Sequence, residues 1–216
     1  MIPSDSAESQ TQPDMGRPQW SMVLVVSVVQ LSITILVLRG LGQSWWCELG
    51  DLSPWIISAY SAHTSQHLID PYTFTHIAHG FIFCGFLAWL VPSLSISIRG
   101  LIATTIECFW EILENTPLVI DRYRTATAAL GYEGDSIANS LADIVACASG
   151  FVFATRFGWR ITLTMFLAFE LLLLITIRDS LVLNIIMLCY PVDLIREWQM
   201  GLVHNTRTVA TALGNS

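Results

Sequence analysis

No lysine occurs in these 216 residues, and charged side chains of both signs make up only 12% of the chain, about half the share usual in a soluble domain. Every fixed cation is therefore one of ten arginines, against a formal net charge of -7. Phosphate-backbone binding needs a clustered basic surface, so this balance excludes a nucleic-acid partner. The five cysteines are odd in number and form no C-x-x-C pair. Four lie inside apolar segments and read as small hydrophobic filler, so neither a disulfide framework nor a thiolate metal site is indicated. Also missing are a nucleophile elbow, a Walker loop, a dinucleotide fingerprint and the H-E-x-x-H or E-x-x-H metal signatures. No internal repeat or second domain is visible.

What remains is apolar. Hydrophobic residues account for 53% of the chain and the mean hydropathy is +0.58, which places it in a bilayer. Residues 1–20 form a polar tail expected to be disordered, 21–197 a single transmembrane helix-bundle domain, and 198–216 a polar C-terminal tail. The expected class is all-α, a polytopic membrane bundle of about six transmembrane segments. The first runs from Met22 to Leu38. After an interfacial stretch with Trp45, Trp46, Trp55 and Tyr60, and room for a short helix, the second starts at Asp70-Pro71 and ends near Val91. Its start pairs an Asp N-cap with a Pro in the first turn. The third spans Leu94 to just before Pro117, the fourth Asp135 to about Arg156, and the fifth Ile161 to Ile177. A loop carrying Asp121, Arg122 and Arg124 joins the third to the fourth. From Leu181 the sixth is short or re-entrant. Ala138, Ala142, Ala146 and Gly150 recur every fourth residue, a stripe suited to close helix contact. Arginine placement, six against four, favours both chain ends inside.

Carboxylates in such segments are costly, roughly 2.5 to 3.5 kcal/mol each near the bilayer centre, so they face a bundle interior, pair, or carry function. Helix alternation puts one set of polar ends on one membrane face: His76 and His79; Glu107, Glu111 and Glu114; Asp135, Asn139 and Asp143; Arg178 and Asp179; Asn184. The spacings i, i+3 for the histidines and i, i+4, i+7 for the glutamates each select one helical face. His76 and His79 are candidate ligands of a divalent transition metal, because imidazole with carboxylate suits zinc, manganese or iron. Glu107, Glu111, Glu114, Asp135, Asn139 and Asp143 are candidates for catalysis. Arg122, Arg124, Arg178 and Asn184 are candidates for holding substrate, the arginines through a phosphate or lipid headgroup. The blander readings are that Asp135 and Asp179 are N-caps, that Glu114 reaches headgroup water, and that His63 and His67 are solvated interfacial histidines.

Several strings taken together, Ser65-Gln66-His67-Leu68-Ile69-Asp70, His76-x-x-His79-Gly80, Trp110-Glu111-Ile112-Leu113-Glu114-Asn115, Asp121-Arg122-Tyr123-Arg124, Gly134-Asp135-Ser136-x-x-Asn139-Ser140-x-x-Asp143 and Arg178-Asp179-Ser180-Leu181-x-Leu183-Asn184, resemble a family of uncharacterised proteobacterial inner-membrane proteins catalogued as a domain of unknown function. The resemblance covers about Trp45 to Gly201. The helical layout and the Gly-Asp-x-x-x-Asn-x-x-x-Asp pattern also resemble the VanZ-like membrane proteins. The first resemblance implies a bacterial plasma-membrane location and a shared polar constellation, and neither implies an activity. The residues themselves point to a membrane-embedded metal-dependent hydrolase or transferase acting on a lipid or lipid-linked phosphate, with membrane lipids as partners. The alternative is a non-catalytic membrane protein, a small transporter or an assembly factor.

Overall fold

The computed structural model describes residues 20–129 and 131–202. The expected disordered tail before residue 20 and the C-terminal residues from 203 lie outside the described residues. Helices run over α1 (Trp20–Leu41), α2 (Thr73–Leu90), α3 (Ile96–Glu114), α4 (Pro117–Ala126), α5 (Ile137–Ile177) and α6 (Leu181–Cys189). Residues 193–202 are also helical, so the helical part reaches into the expected polar tail. Among the described residues the only strand-like feature is an isolated bridge between Trp55 and Ile69, so the all-α expectation holds.

The helix starts follow from serines. Ser95 accepts from the Ile98 amide, Ser136 from Asn139 and Ser180 from Leu183, each satisfying an N–H that the helix itself leaves unpaired. The capping expected of Asp135 and Asp179 thus falls to the serine that follows each. Asp70 does serve the start of α2: its Oδ1 accepts from the amides of Tyr72 at 2.8 Å and Thr73 at 3.1 Å. No helix forms in the interfacial stretch before it, which is built of turns. The expected loop after α3 is instead the helix α4. Pro117, which stops α3, sits at the first position of the new helix, where its missing N–H costs nothing.

α5 is two arms in one assigned helix. Gly158 has φ +73° and ψ 171°, a region open essentially to glycine alone, and the packing reverses there. On the first arm, Asp143 faces His76 and Phe153 faces Phe81. On the second arm, Phe169 lies against Phe81 and Phe74, while the Ile177 carbonyl accepts from the Tyr60 hydroxyl. The first arm therefore runs parallel to α2 and the second comes back beside it. These arms correspond to the fourth and fifth expected segments.

Among the described residues three helices are long and apolar enough to cross a membrane: α1, α2 and α5. At about 1.5 Å per residue, the 41 residues of α5 hold two crossing lengths. α3, with 19 residues, is of crossing length but carries the three glutamates. α6, with nine residues, is too short to cross. Leu163, Leu167, Leu171 and Ile175 form an exposed apolar row on the second arm of α5, and Leu24, Val25, Val28 and Leu36 do the same on α1. The polar residues Glu107, Glu111, Asn115, Asn139 and Ser140 are fully buried. Apolar outside and polar inside is the distribution expected of a bundle in lipid.

Candidate functional site

α2, α3 and the first arm of α5 bring the polar sets together at one end of the bundle. α3 is antiparallel to α2, so the histidines one turn into α2 meet the glutamates of the last turns of α3. His76 Nδ1 lies 2.6 Å from Glu107 Oε1. His79 Nδ1 lies 3.0 Å from Oε2 and 3.1 Å from Oε1 of the same carboxylate. One carboxylate therefore accepts from two imidazoles. His76 Nδ1 is also 3.3 Å from Glu111 Oε1, and its Nε2 is 3.8 Å from Asp143 Oδ2. The rings are held by packing, His79 stacked on Phe83 and edge-on to Trp110.

Neither oxygen of Glu111 has a hydrogen-bond partner, nor does Oδ1 of Asp143, although both residues are buried. An unpartnered buried carboxylate is costly. A proton or a cation would answer that cost, and the neighbouring donors could hold an ion. The ligating atoms of His76, His79 and Glu107 lie within 4.8 Å of one another, as do those of His76, Glu111 and Glu114.

Asn115, which follows α3, organises the layer above. Its side chain donates to Asp135 Oδ2 at 2.9 Å and to the Glu111 carbonyl at 2.9 Å, and it accepts from the Asp135 amide at 2.7 Å. Tyr132 donates to Asp135 Oδ1 at 2.8 Å. Burial pushes the Asp135 carboxyl up, against the lowering effect of these two donors. Asn139 is not part of the His/carboxylate cluster: it donates to the His67 carbonyl at 2.7 Å, tying the 42–72 segment to α5. Asn184 accepts from Tyr123 at 3.1 Å.

A cavity of about 940 Å³ opens on this cluster. Its lining includes the polar His76, Glu114, Tyr132, Asp135, Asp143 and Asp179 and the apolar Phe83, Ile106, Trp110, Ile185 and Leu188. Asn184 is on the wall, but Arg122, Arg124 and Arg178 are not. Arg122 donates to the Leu188 carbonyl at 2.8 Å, Arg124 to the Tyr132 carbonyl, and Arg178 to the Trp198 carbonyl at 2.7 Å. The structure does not bring the three arginines to the site. Sequence reasoning missed Asn115, Tyr123 and Tyr132, since neutral polar residues beside a helix end carry no periodic signal.

Asp179 gives a pH test. Burial is the main cause holding its carboxyl up, to about 6 from an ordinary 3.8, despite bonds from the Ser180 amide and the Tyr72 hydroxyl. The folded state then binds the proton more tightly than the unfolded state, so stability is highest below pH ~4 and falls as pH rises to ~6, by about 3 kcal/mol in all. Thermal unfolding in detergent should show this decline, and Asp179→Asn should flatten it.

Residues 38–201 match a family described as "Protein of unknown function (DUF2585)". The chain is similar to a UPF0314 protein of Sphingopyxis alaskensis, 43% identical over 187 residues that make up 87% of this chain and 97% of the relative. A UPF0314 protein of Sinorhizobium fredii is 43% identical over 192 residues, 89% of this chain and 97% of that one. Another, from Agrobacterium fabrum, is 45% identical over 172 residues, covering 80% and 87%. No solved structure matches. The likeness to VanZ-like membrane proteins is not shown by these matches. With the family match reaching from the end of α1 through α6, this chain belongs to the DUF2585 family of uncharacterised bacterial proteins.

Proposed function

We propose that this is a multi-pass protein of the bacterial inner membrane and a metal-dependent hydrolase or transferase acting on a lipid or lipid-linked phosphate. In this reading α1, α2, α3 and the two arms of α5 cross the bilayer and α6 is the short sixth segment. The observation that carries it is the buried, unpartnered carboxylate of Glu111 beside His76, His79 and Glu107. His76, His79 and Glu107 would hold the cation, with Glu111 beside them at 3.3 Å from His76 Nδ1, and the bound ion would supply Lewis-acid activation of water or of a phosphoryl oxygen. Asp143, 3.8 Å from His76 Nε2 and lining the cavity, is placed to take a proton from the attacking group. Asn115 and Tyr132 orient Asp135.

The mixed polar and apolar lining of the cavity supports an amphiphile. An acyl or prenyl tail fits along Phe83, Ile106, Trp110, Ile185 and Leu188, with its headgroup towards His76 and Asp143. A phosphate so placed meets several carboxylates and no arginine. Its charge is compensated by the cation, while Arg122, Arg124 and Arg178 remain tied to carbonyls outside.

The test is elemental analysis and turnover of detergent-purified protein. We expect His79→Ala to lower the bound transition metal by about one equivalent. Metal-dependent release of phosphate or headgroup from a bacterial lipid extract should be lost with it. No metal at His76 and His79 together with no turnover would return the protein to the non-catalytic reading.

A further inference from the structure

Residues 42–72, between α1 and α2, form a long connection with no helix and a single bridge. Connections of this length inside a compact domain usually carry function or need a clamp. Ser61, Thr64, Ser65 and Gln66 of this segment line the cavity. Ser65 is held at φ +60°, an uncommon conformation for a side chain of its type.

At the centre of the segment, three ligand types converge. Cys47 Sγ lies 3.4 Å from His63 Nδ1, and His67 Nε2 lies 3.4 Å from the same nitrogen. Asp51 Oδ2 is 3.9 Å from it. A tetrahedral ion at about 2.0 to 2.1 Å from nitrogen and about 2.3 Å from sulfur sets its ligands about 3.3 to 3.6 Å apart. The two 3.4 Å separations match those edges, and the ligating atoms of Cys47, His63 and His67 all lie within 4.8 Å of one another, whereas Asp51 stands beside this group of three rather than in it. His67 is fully buried, Cys47 is buried, and His63 and Asp51 are about one-third exposed, which leaves an entry path.

The supporting contacts also fit. His67 Nδ1 lies 2.5 Å from the Ser53 carbonyl. A carbonyl only accepts, so this nitrogen carries the proton and Nε2 presents its lone pair towards Cys47 and His63. That is the outer contact that orients metal-binding histidines. Trp46 packs edge-on against His67 and its indole N–H donates to the Asp51 carbonyl at 2.7 Å, fixing the backbone beside the group. Cys47 is the one cysteine outside the apolar segments. His63 and His67, one helical turn apart in sequence, meet it only because the segment folds back on itself.

We propose that Cys47, His63 and His67 bind a divalent cation of the zinc class, with the part-exposed Asp51 beside His63, separate from the His76/His79/Glu107 centre, and that this ion clamps the 42–72 segment into the wall of the cavity. Binding displaces the thiol proton of Cys47 to solvent and places the thiolate on the metal, with no redox change. The site stands whether or not the cavity is catalytic.

The experiment uses the full-length protein in detergent, stripped with chelator and reloaded with Co(II). Wild type should show a sulfur-to-cobalt charge-transfer band titrating to about one equivalent. Cys47→Ser should lose that band, and His79→Ala should keep it. No band in the wild type, or a band that survives Cys47→Ser, overturns the proposal. In case the serine variant fails to fold, the wild type carries a second readout, the rate of Cys47 alkylation followed by peptide mass spectrometry. Zinc should slow it by about tenfold or more, and His67→Ala should abolish most of that protection, in keeping with the ~10 to 100-fold worth of a supporting contact or ligand. An unchanged rate with zinc overturns the proposal as well.

Discussion

Glutamine in place of Glu107 is expected to cost the protein both its metal and several kcal/mol of stability, whereas glutamine in place of Glu111 should cost the metal alone. Glu107 is fully buried and both of its oxygens are engaged by the imidazoles of His76 and His79. The amide keeps the shape but offers one acceptor instead of two, so its NH2 group is turned against a ring that was donating. Breaking a buried pair in this way costs about 3 to 5 kcal/mol. Glu111 is equally buried, but neither of its oxygens has a hydrogen-bond partner. Its one ion-pair contact is with His76 Nδ1 at 3.3 Å, and that nitrogen is already engaged by Glu107 at 2.6 Å, so metal-free Glu111→Gln should be at least as stable as the metal-free wild type. Both variants should bind metal at least about tenfold more weakly. Thermal unfolding with and without chelator, beside elemental analysis, reads all of these quantities. A Glu111→Gln protein that is strongly destabilised without metal, or that retains its metal, would make Glu111 a structural group and remove the main support for the proposed centre.

The second large effect sits where α2 and the first arm of α5 touch. A methyl group added at Gly80 would overlap the Cys147 carbonyl oxygen and lie 2.5 Å from the Phe151 amide nitrogen. One added at Gly150 would overlap the Ile77 carbonyl oxygen and lie 3.0 Å from its carbon. Backbone atoms cannot rotate aside as a side chain can, so the helices must separate. Gly80→Ala and Gly150→Ala should each lose about 3 kcal/mol or more, the upper range of overpacking, and should give little monodisperse protein in detergent. Since Ile77 and Gly80 flank His76 and His79, separation also opens the His76–Asp143 approach, and metal binding should fall together with folding. Gly85→Ala is the control: nothing lies within 4 Å of the added methyl, and helix propensity alone would make it stabilising by up to about 1 kcal/mol. Equal behaviour of the three variants would mean that this contact is looser than its geometry indicates.

The sequence by itself determined the apolar all-α class, the approximate places of α1, α2, α3 and the two arms of α5, and the clustering of polar residues at one end of the bundle. These are local quantities. A run of apolar side chains and a proline after it mark where a long helix lies, and a spacing of three or four selects a face. His76, His79, Glu107, Glu111 and Asp143 were legible as candidates because ionisable side chains in apolar helices stand out against their neighbours. The stripe that includes Gly150 was legible as a contact surface, but Gly80 opposite it was not, because one glycine in a helix has no period.

Only the tertiary structure decided which groups meet. That Glu107 is shared by two histidines while Glu111 is left without a hydrogen bond depends on the depth at which α3 slides past α2. No residue encodes that offset alone. The arginines follow the same logic. Their charge suggested a headgroup site, but α4, whose helical form the sequence reading missed, turns Arg122 and Arg124 towards carbonyls of the chain instead. Cys47, His63 and His67 come together in a segment without helical or strand period, where sequence spacing says least about distance in space. Periodic elements announce their faces in sequence, but contacts between elements, and contacts within irregular segments, are set by packing across the whole fold.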